Sequence, residues 1–193
     1  MVERVRRTAG GIMFFLIGAF LSELVHEAGH AFFVVVSGGQ VTDFIPYPVL
    51  LSNQIVLGAV SWTGVPVHML PVVAIGGEVF QYGFLAIALA LLHRTREHRA
   101  RPVLEVTCIL SWLDFPLYVL NNGASIPHWF VIGSARGDIV HFCNLLQVPY
   151  SAMYVPAIAQ LALGLLVIFH LKRERIKSFL LPAREGDAEM INS

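Results

Sequence analysis

Phe20-Leu21-Ser22-Glu23-Leu24-Val25-His26-Glu27-Ala28-Gly29-His30-Ala31-Phe32-Phe33 contains a His-Glu-x-x-His pattern set inside a long apolar run. On a helix, residues four apart lie one above the other. The His26 and His30 imidazoles therefore project from one face, with Glu27 beside them. Two imidazoles so placed can grip one Zn²⁺, and the adjacent carboxylate is the general base that metal-assisted hydrolysis needs. Ile12 to Leu21 precede the motif and Ala31 to Val36 follow it with almost no polar interruption. A soluble zinc enzyme would carry the motif on a half-buried helix, whereas this run is long enough to put the chemistry inside a membrane.

Of the 193 residues, 56% are hydrophobic and 13% charged, and the mean hydropathy is +0.68. These values lie outside the range of ordinary soluble domains and predict an integral membrane protein. A formal net charge of zero gives no reason to expect nucleic acid as a partner. Cys108 and Cys143 both lie in apolar surroundings and read as packing residues, neither a disulfide nor a zinc-finger pair. The basic start followed by an apolar run is superficially that of a signal peptide, but the run continues through the metal motif, so cleavage is not expected.

Four stretches approach or exceed the roughly 20 residues a helix needs to cross a hydrocarbon core. They are Gly10 to Val36, Val65 to Leu92, Val103 to Leu120 (the shortest) and Tyr150 to Leu171. Just beyond span ends lie Arg4, Arg6 and Arg7, then Arg94, Arg96, Arg99 and Arg101, then Lys172, Arg173, Arg175 and Lys177. The positive-inside rule places all three clusters, and both termini, in the cytoplasm. Between the first two spans, Gln40 to Trp62 alternates, is rich in β-branched and aromatic residues, and has turn formers at Pro46, Pro48, Ser52 and Asn53. The expected fold is thus an all-α membrane protein of about four transmembrane helices. A short β-hairpin or ribbon follows the first of them, and a re-entrant segment precedes the last. Residues 1–181 form a single domain and 182–193 a flexible cytoplasmic tail; the expected location is the cell membrane.

Catalytic zinc usually takes three protein ligands and leaves one position for water, so a third donor must come from elsewhere. Glu78, Asp114 and Asp138 are the candidates in apolar segments, with His68, His128 and His141 as outsiders. His26 lies 14 residues past Ile12, about 21 Å along a helix entering from the cytoplasm, which sets the metal toward the outer side. Asp138 belongs to the outer segment Gly133 to Asn144, where Gly137-Asp138-Ile139-Val140-His141 can open a short helix dipping inward. Asp114 and Glu78 lie nearer mid-bilayer. Depth therefore favours Asp138, with Asp114 as runner-up.

Other roles compete for the same residues. Asp138 suits a helix N-cap, Glu23 suits either a partner of a metal-bound imidazole or a polar contact between helices, and Glu78 suits the substrate path or a buried acid. His141, three residues after Asp138, shares its helical face and would support the site or sit at the interface. A carboxylate at mid-membrane costs about 2.5 to 3.5 kcal/mol on insertion scales, so a polar cluster there points to function. Gly38-Gly39 reads as a helix terminus and Gly76-Gly77 as a close helix contact.

Taken together these residues resemble the site-2 protease family of intramembrane zinc metalloproteases. In that family the first core helix carries His-Glu-x-x-His, a β-rich segment follows, and a later helix supplies an aspartate, usually in a Leu-Asp-Gly or Asp-Gly context. His26, Glu27 and His30 match the motif position by position, and Gln40 to Trp62 takes the place of the β segment. Gly76, Gly77, Glu78 and Gln81 correspond to a Gly-rich stretch near a polar amide. Asp138 stands where the aspartate comes in chain order, with Gly137 before it instead of a glycine after it, and Asp114 in Leu113-Asp114-Phe115 keeps the Leu-Asp part. The likeness covers most of residues 10 to 145. It implies a zinc-dependent intramembrane metallopeptidase acting on a transmembrane protein or peptide, with Zn²⁺ held by His26, His30 and Asp138 and with Glu27 as general base and then acid. It also implies a substrate held extended against the β segment.

Three rivals remain open in the sequence. Glu23-x-x-His26 and Glu27-x-x-His30 echo the ligands of di-iron proteins, which would make a membrane metal oxidase or hydroxylase but would require further clusters on other helices. A metal transporter should step ligands across several spans. An inactive protease-like scaffold needs only the fold.

Overall fold

The computed structural model describes residues 2–51, 54–94, 100–127 and 137–180, with side chains over 9–50, 55–94, 100–127 and 137–167. His128, Arg136, the Ser52-Asn53 turn, Arg96, His98 and Arg99, the first part of the expected re-entrant segment and the tail 182–193 lie outside these ranges.

The chain is mostly helical. In order it forms α1 (Val2–Val36), β1 (Gln40–Ile45), β2 (Val49–Leu51), β3 (Gln54–Val56), β4 (Ala59–Thr63), α2 (Leu70–Ala74), α3 (Gly76–Arg94), α4 (Ala100–Gly123), α5 (Asp138–Leu146) and α6 (Tyr154–Leu180). Short 3-10 turns, Val67–Met69 and Tyr150–Met153, lead into α2 and α6. Among the described residues, four helical stretches are long and apolar enough to cross a membrane: Ala9–Val36, Val67–Arg94, Ala100–Gly123 and Tyr150–Val167. Their outer faces are lipid-like, with Leu16, Val35, Ile87, Ile109, Leu165 and Leu166 all exposed. α1 begins before Gly10, and α4 runs past Val103 to Leu120 at both ends. Hydropathy sees only the apolar stretch, whereas helical hydrogen bonding continues into polar ends such as Asn121-Asn122-Gly123.

The second span is broken. α2 stops at Ala74, Ile75 caps it, and α3 restarts at Gly76-Gly77, residues of low helix propensity. The pair does more than loosen the helix, because α1 and α3 cross there backbone to backbone. A Cβ on Gly29 would strike the Gly76 carbonyl, and one on Gly76 would lie 2.7 Å from the Phe33 ring. Gly38, at φ 84°, ends α1; the Gly38 N–H donates to Val35 O at 3.0 Å and the Gly39 N–H to Val34 O at 2.9 Å, which satisfies carbonyls a helix end leaves open.

Residues 40–63 form a two-stranded antiparallel ribbon in two sections. β1 pairs with β4 from Gln40↔Thr63 to Ile45↔Ala59, with an irregularity between Val41 and Asp43, and β2 pairs with β3 from Val49↔Val56 to Leu51↔Gln54. Pro46 and Pro48, which have no N–H to give a ladder, stand at the gap between the sections, opposite Leu57 and Gly58. The ribbon packs on α1.

α1, α3 and α4 pack pairwise, and α6 closes on α4. Pro116 lies inside α4 and cannot donate to the carbonyl four residues earlier, Trp112 O; the Gln160 amide from α6 donates there instead, and Tyr82 from α3 donates to the same Gln160 side chain. Phe115, Val119, Ile139, Cys143 and Ala157 form one core cluster, and Leu85, Ala88 and Cys108 another. Both cysteines are free and buried, as their apolar surroundings predicted.

Candidate metal centre

His26 and His30 point from α1 into the space between α3, α4 and α5, and both are buried. Their Nε2 atoms are 3.0 Å apart, and Asp138 Oδ2 is 3.3 Å from each. The outer nitrogens are held separately. His30 Nδ1–H donates to Val73 O at 2.7 Å, near the C-terminal end of α2. His26 Nδ1 faces Asp114 Oδ2 at 3.5 Å. With each Nδ1 directed at an acceptor, the Nε2 lone pairs and the Asp138 oxygen converge on one point. Three acceptors this close require a proton or a cation among them. In a tetrahedral zinc site with bonds of about 2.0 to 2.1 Å, neighbouring ligand atoms stand about 3.3 Å apart, so the triangle fits the ion.

Asp138 is the first residue of α5. The N-cap is Gly137, and no side chain caps the helix; the Asp138 carboxylate is turned to the histidines instead of serving as the cap. Tyr118 completes this side. Its hydroxyl donates to Asp138 Oδ2 at 3.3 Å, and its ring stacks on His26 at 6.0 Å between centroids, 18° from parallel. The glycine before the aspartate has a steric reason, since a Cβ on Gly137 would overlap the Tyr118 ring. Gly77 similarly leaves room for His26, whose Nε2 would stand 2.5 Å from a Cβ there.

Asp114 and Glu78 are both buried and form a second group with His26, their ligand atoms within 4.8 Å of one another, and Asp114 is on the Nδ1 side of the ring. Glu27, 6% exposed, borders a cavity of about 490 Å³ with Glu23, both histidines, Asp138 and residues 56–60 of the ribbon. Glu23 lines the cavity wall beside Glu27 and His26. The ribbon comes down on this pair at its gap. A Cβ on Gly58 would lie 2.6 Å from Glu27 Oε1 and 2.7 Å from Glu23 Oε1.

His141 lines the same cavity, together with Asn144. His68 lies in the 3-10 turn before α2 and does not line it. Tyr118, Gly58, Asn144 and the Val73 carbonyl went unread in the sequence; of these, only Tyr118 carried a signal, its i+4 spacing from Asp114 on α4. Comparison with protein-family models, with curated proteins and with solved structures gave no match.

Proposed function

We propose that this chain is an intramembrane zinc metallopeptidase of the site-2 protease type, hydrolysing a peptide bond of a membrane-embedded or membrane-proximal protein. The observation that supports it is the convergence of His26 Nε2, His30 Nε2 and Asp138 Oδ2 at 3.0 and 3.3 Å beside a buried glutamate within a bundle of membrane-length helices. A bound Zn²⁺ supplies Lewis acidity and lowers the pKa of a water toward neutrality. Glu27 takes a proton from the attacking water as its oxygen bonds to the peptide carbonyl carbon, then delivers that proton to the amine nitrogen as the C–N bond breaks. Tyr118 and the Val73 carbonyl hold Asp138 and His30 in place. A substrate helix must unwind locally, and pairing at the ribbon gap around Leu57 and Gly58 holds the freed strand across the cavity.

The Arg-rich span ends and both termini face the cytoplasm of a multi-pass cell-membrane protein. The nine residues of α5, about 14 Å of helix, are too short to cross about 30 Å of hydrocarbon; α5 is a re-entrant helix that carries Asp138 inward. A transport reading draws on one observation, a second donor set of Glu78 and Asp114 with His26.

The test is cleavage of single-span membrane proteins co-reconstituted with the chain in vesicles, read by mass spectrometry of new termini. Cleavage should stop on chelation and return with Zn²⁺; products that persist in zinc-stripped protein would sink the reading. Gly58→Ala should lower the cleavage rate about 100-fold at unchanged zinc content, since displacing the base by about 1 Å costs that much; unchanged kcat in that variant would show that Glu27 does not depend on the ribbon.

A further inference from the structure

His26 belongs to two donor sets. With Glu78 and Asp114 it forms a second group whose ligand atoms all lie within 4.8 Å of one another. The three residues come from three spans, α1, α3 and α4, and all three are buried, Glu78 being 2% exposed. Glu78 Oε1 has no hydrogen-bond partner. One turn further along the same face of α3, Gln81 is also 2% exposed. Its amide nitrogen donates to Ser22 Oγ at 3.3 Å, while its Oε1 has no partner.

A buried acceptor without a donor costs about 1 to 3 kcal/mol, and two buried carboxylates at this separation repel each other when both are ionised. No lysine or arginine among the described side chains lies near them, since Arg94 and Arg101 stand at span ends. A divalent cation answers both conditions, because its charge balances two carboxylates and it takes acceptors as ligands. Donors of imidazole and carboxylate without sulfur suit Zn²⁺ or another first-row divalent ion.

We propose that Glu78, Asp114 and His26 Nδ1 hold a second divalent transition-metal ion, joined through the His26 ring to the ion at Nε2. On binding, the Nδ1 proton of His26 is displaced to solvent, and the imidazole bridges the two ions. The bridge rests on the zinc reading above for its first ion, but the second donor set does not.

The measurement is zinc content of the full chain, purified in detergent, stripped with chelator and dialysed against Zn²⁺. About two equivalents per chain are expected in the wild type, about one in Glu78→Gln, about one in His30→Ala and about two in Glu78→Asp, which keeps the carboxylate. One equivalent in the wild type, lost in His30→Ala and kept in Glu78→Gln, overturns the second ion and leaves the peptidase reading intact. Zinc that is unchanged in His30→Ala but reduced in Glu78→Gln sinks the first donor set and supports this one. Two equivalents in Glu78→Gln overturn the assignment.

Discussion

Glu27→Gln is expected to lower the cleavage rate by about 10²- to 10⁴-fold, the usual contribution of a positioned general acid–base group, while zinc content stays at the wild-type level. The substitution keeps the shape of a side chain that is 6% exposed and packed under Gly58, so it removes the proton acceptor without opening a cavity. Glu27 is not placed as a ligand. The metal is assigned to the three convergent atoms of His26, His30 and Asp138, and their geometry does not involve the glutamate. Cleavage and metal content should therefore separate. Retained cleavage in Glu27→Gln would remove Glu27 from the proton transfers, and loss of zinc would make it a ligand.

Asp138→Ala is expected to weaken zinc binding at the His26/His30 pair by more than 100-fold, and Asp114→Asn by about 10- to 100-fold, the range for a residue acting on a metal through the ligand it supports. The difference follows from which side of the His26 ring each acid occupies. Asp138 Oδ2 lies 3.3 Å from both Nε2 atoms, whereas Asp114 faces Nδ1 of His26 alone, at 3.5 Å. Competition titration of each variant against a chelator of known affinity measures both. The reverse order would make Asp114 the third ligand and Asp138 the support.

The helical part of the fold was legible because it rests on local signals. Apolar runs of spanning length, the glycine pairs and the alternating, proline-marked stretch after α1 each lie within about 30 residues of sequence. Even there the reading stopped at polarity: α4 runs past Val103 to Leu120 into Asn121-Asn122, which hydropathy scored as outside. The break at Ile75 was not read, although it lies two residues after Val73, whose carbonyl accepts from His30. Half of the site was legible for the same local reason, since i, i+4 spacing alone puts His26 and His30 on one helical face.

The other half depends on distance in the chain. His26 and Asp138 are separated by 112 positions, and no periodicity relates a residue on α1 to the first residue of α5. Depth in the membrane favoured Asp138 over Asp114, but depth cannot say which nitrogen of an imidazole an acid meets. That is set by how α4 and α5 pack around α1. Gly58 is a similar case. As a residue of the ribbon it reads as a turn, and only its approach to the Glu23 and Glu27 carboxyls gives it a chemical meaning. The amino-acid sequence by itself determined the membrane-length apolar helices, the ribbon and the paired imidazoles of His26-Glu27-Ala28-Gly29-His30, because helical repeat and hydrophobicity are local. Tertiary packing decided that Asp138 faces the Nε2 atoms, that Asp114 and Glu78 gather at His26, and that Glu27 lies under Gly58, because each of these contacts joins elements far apart in the chain.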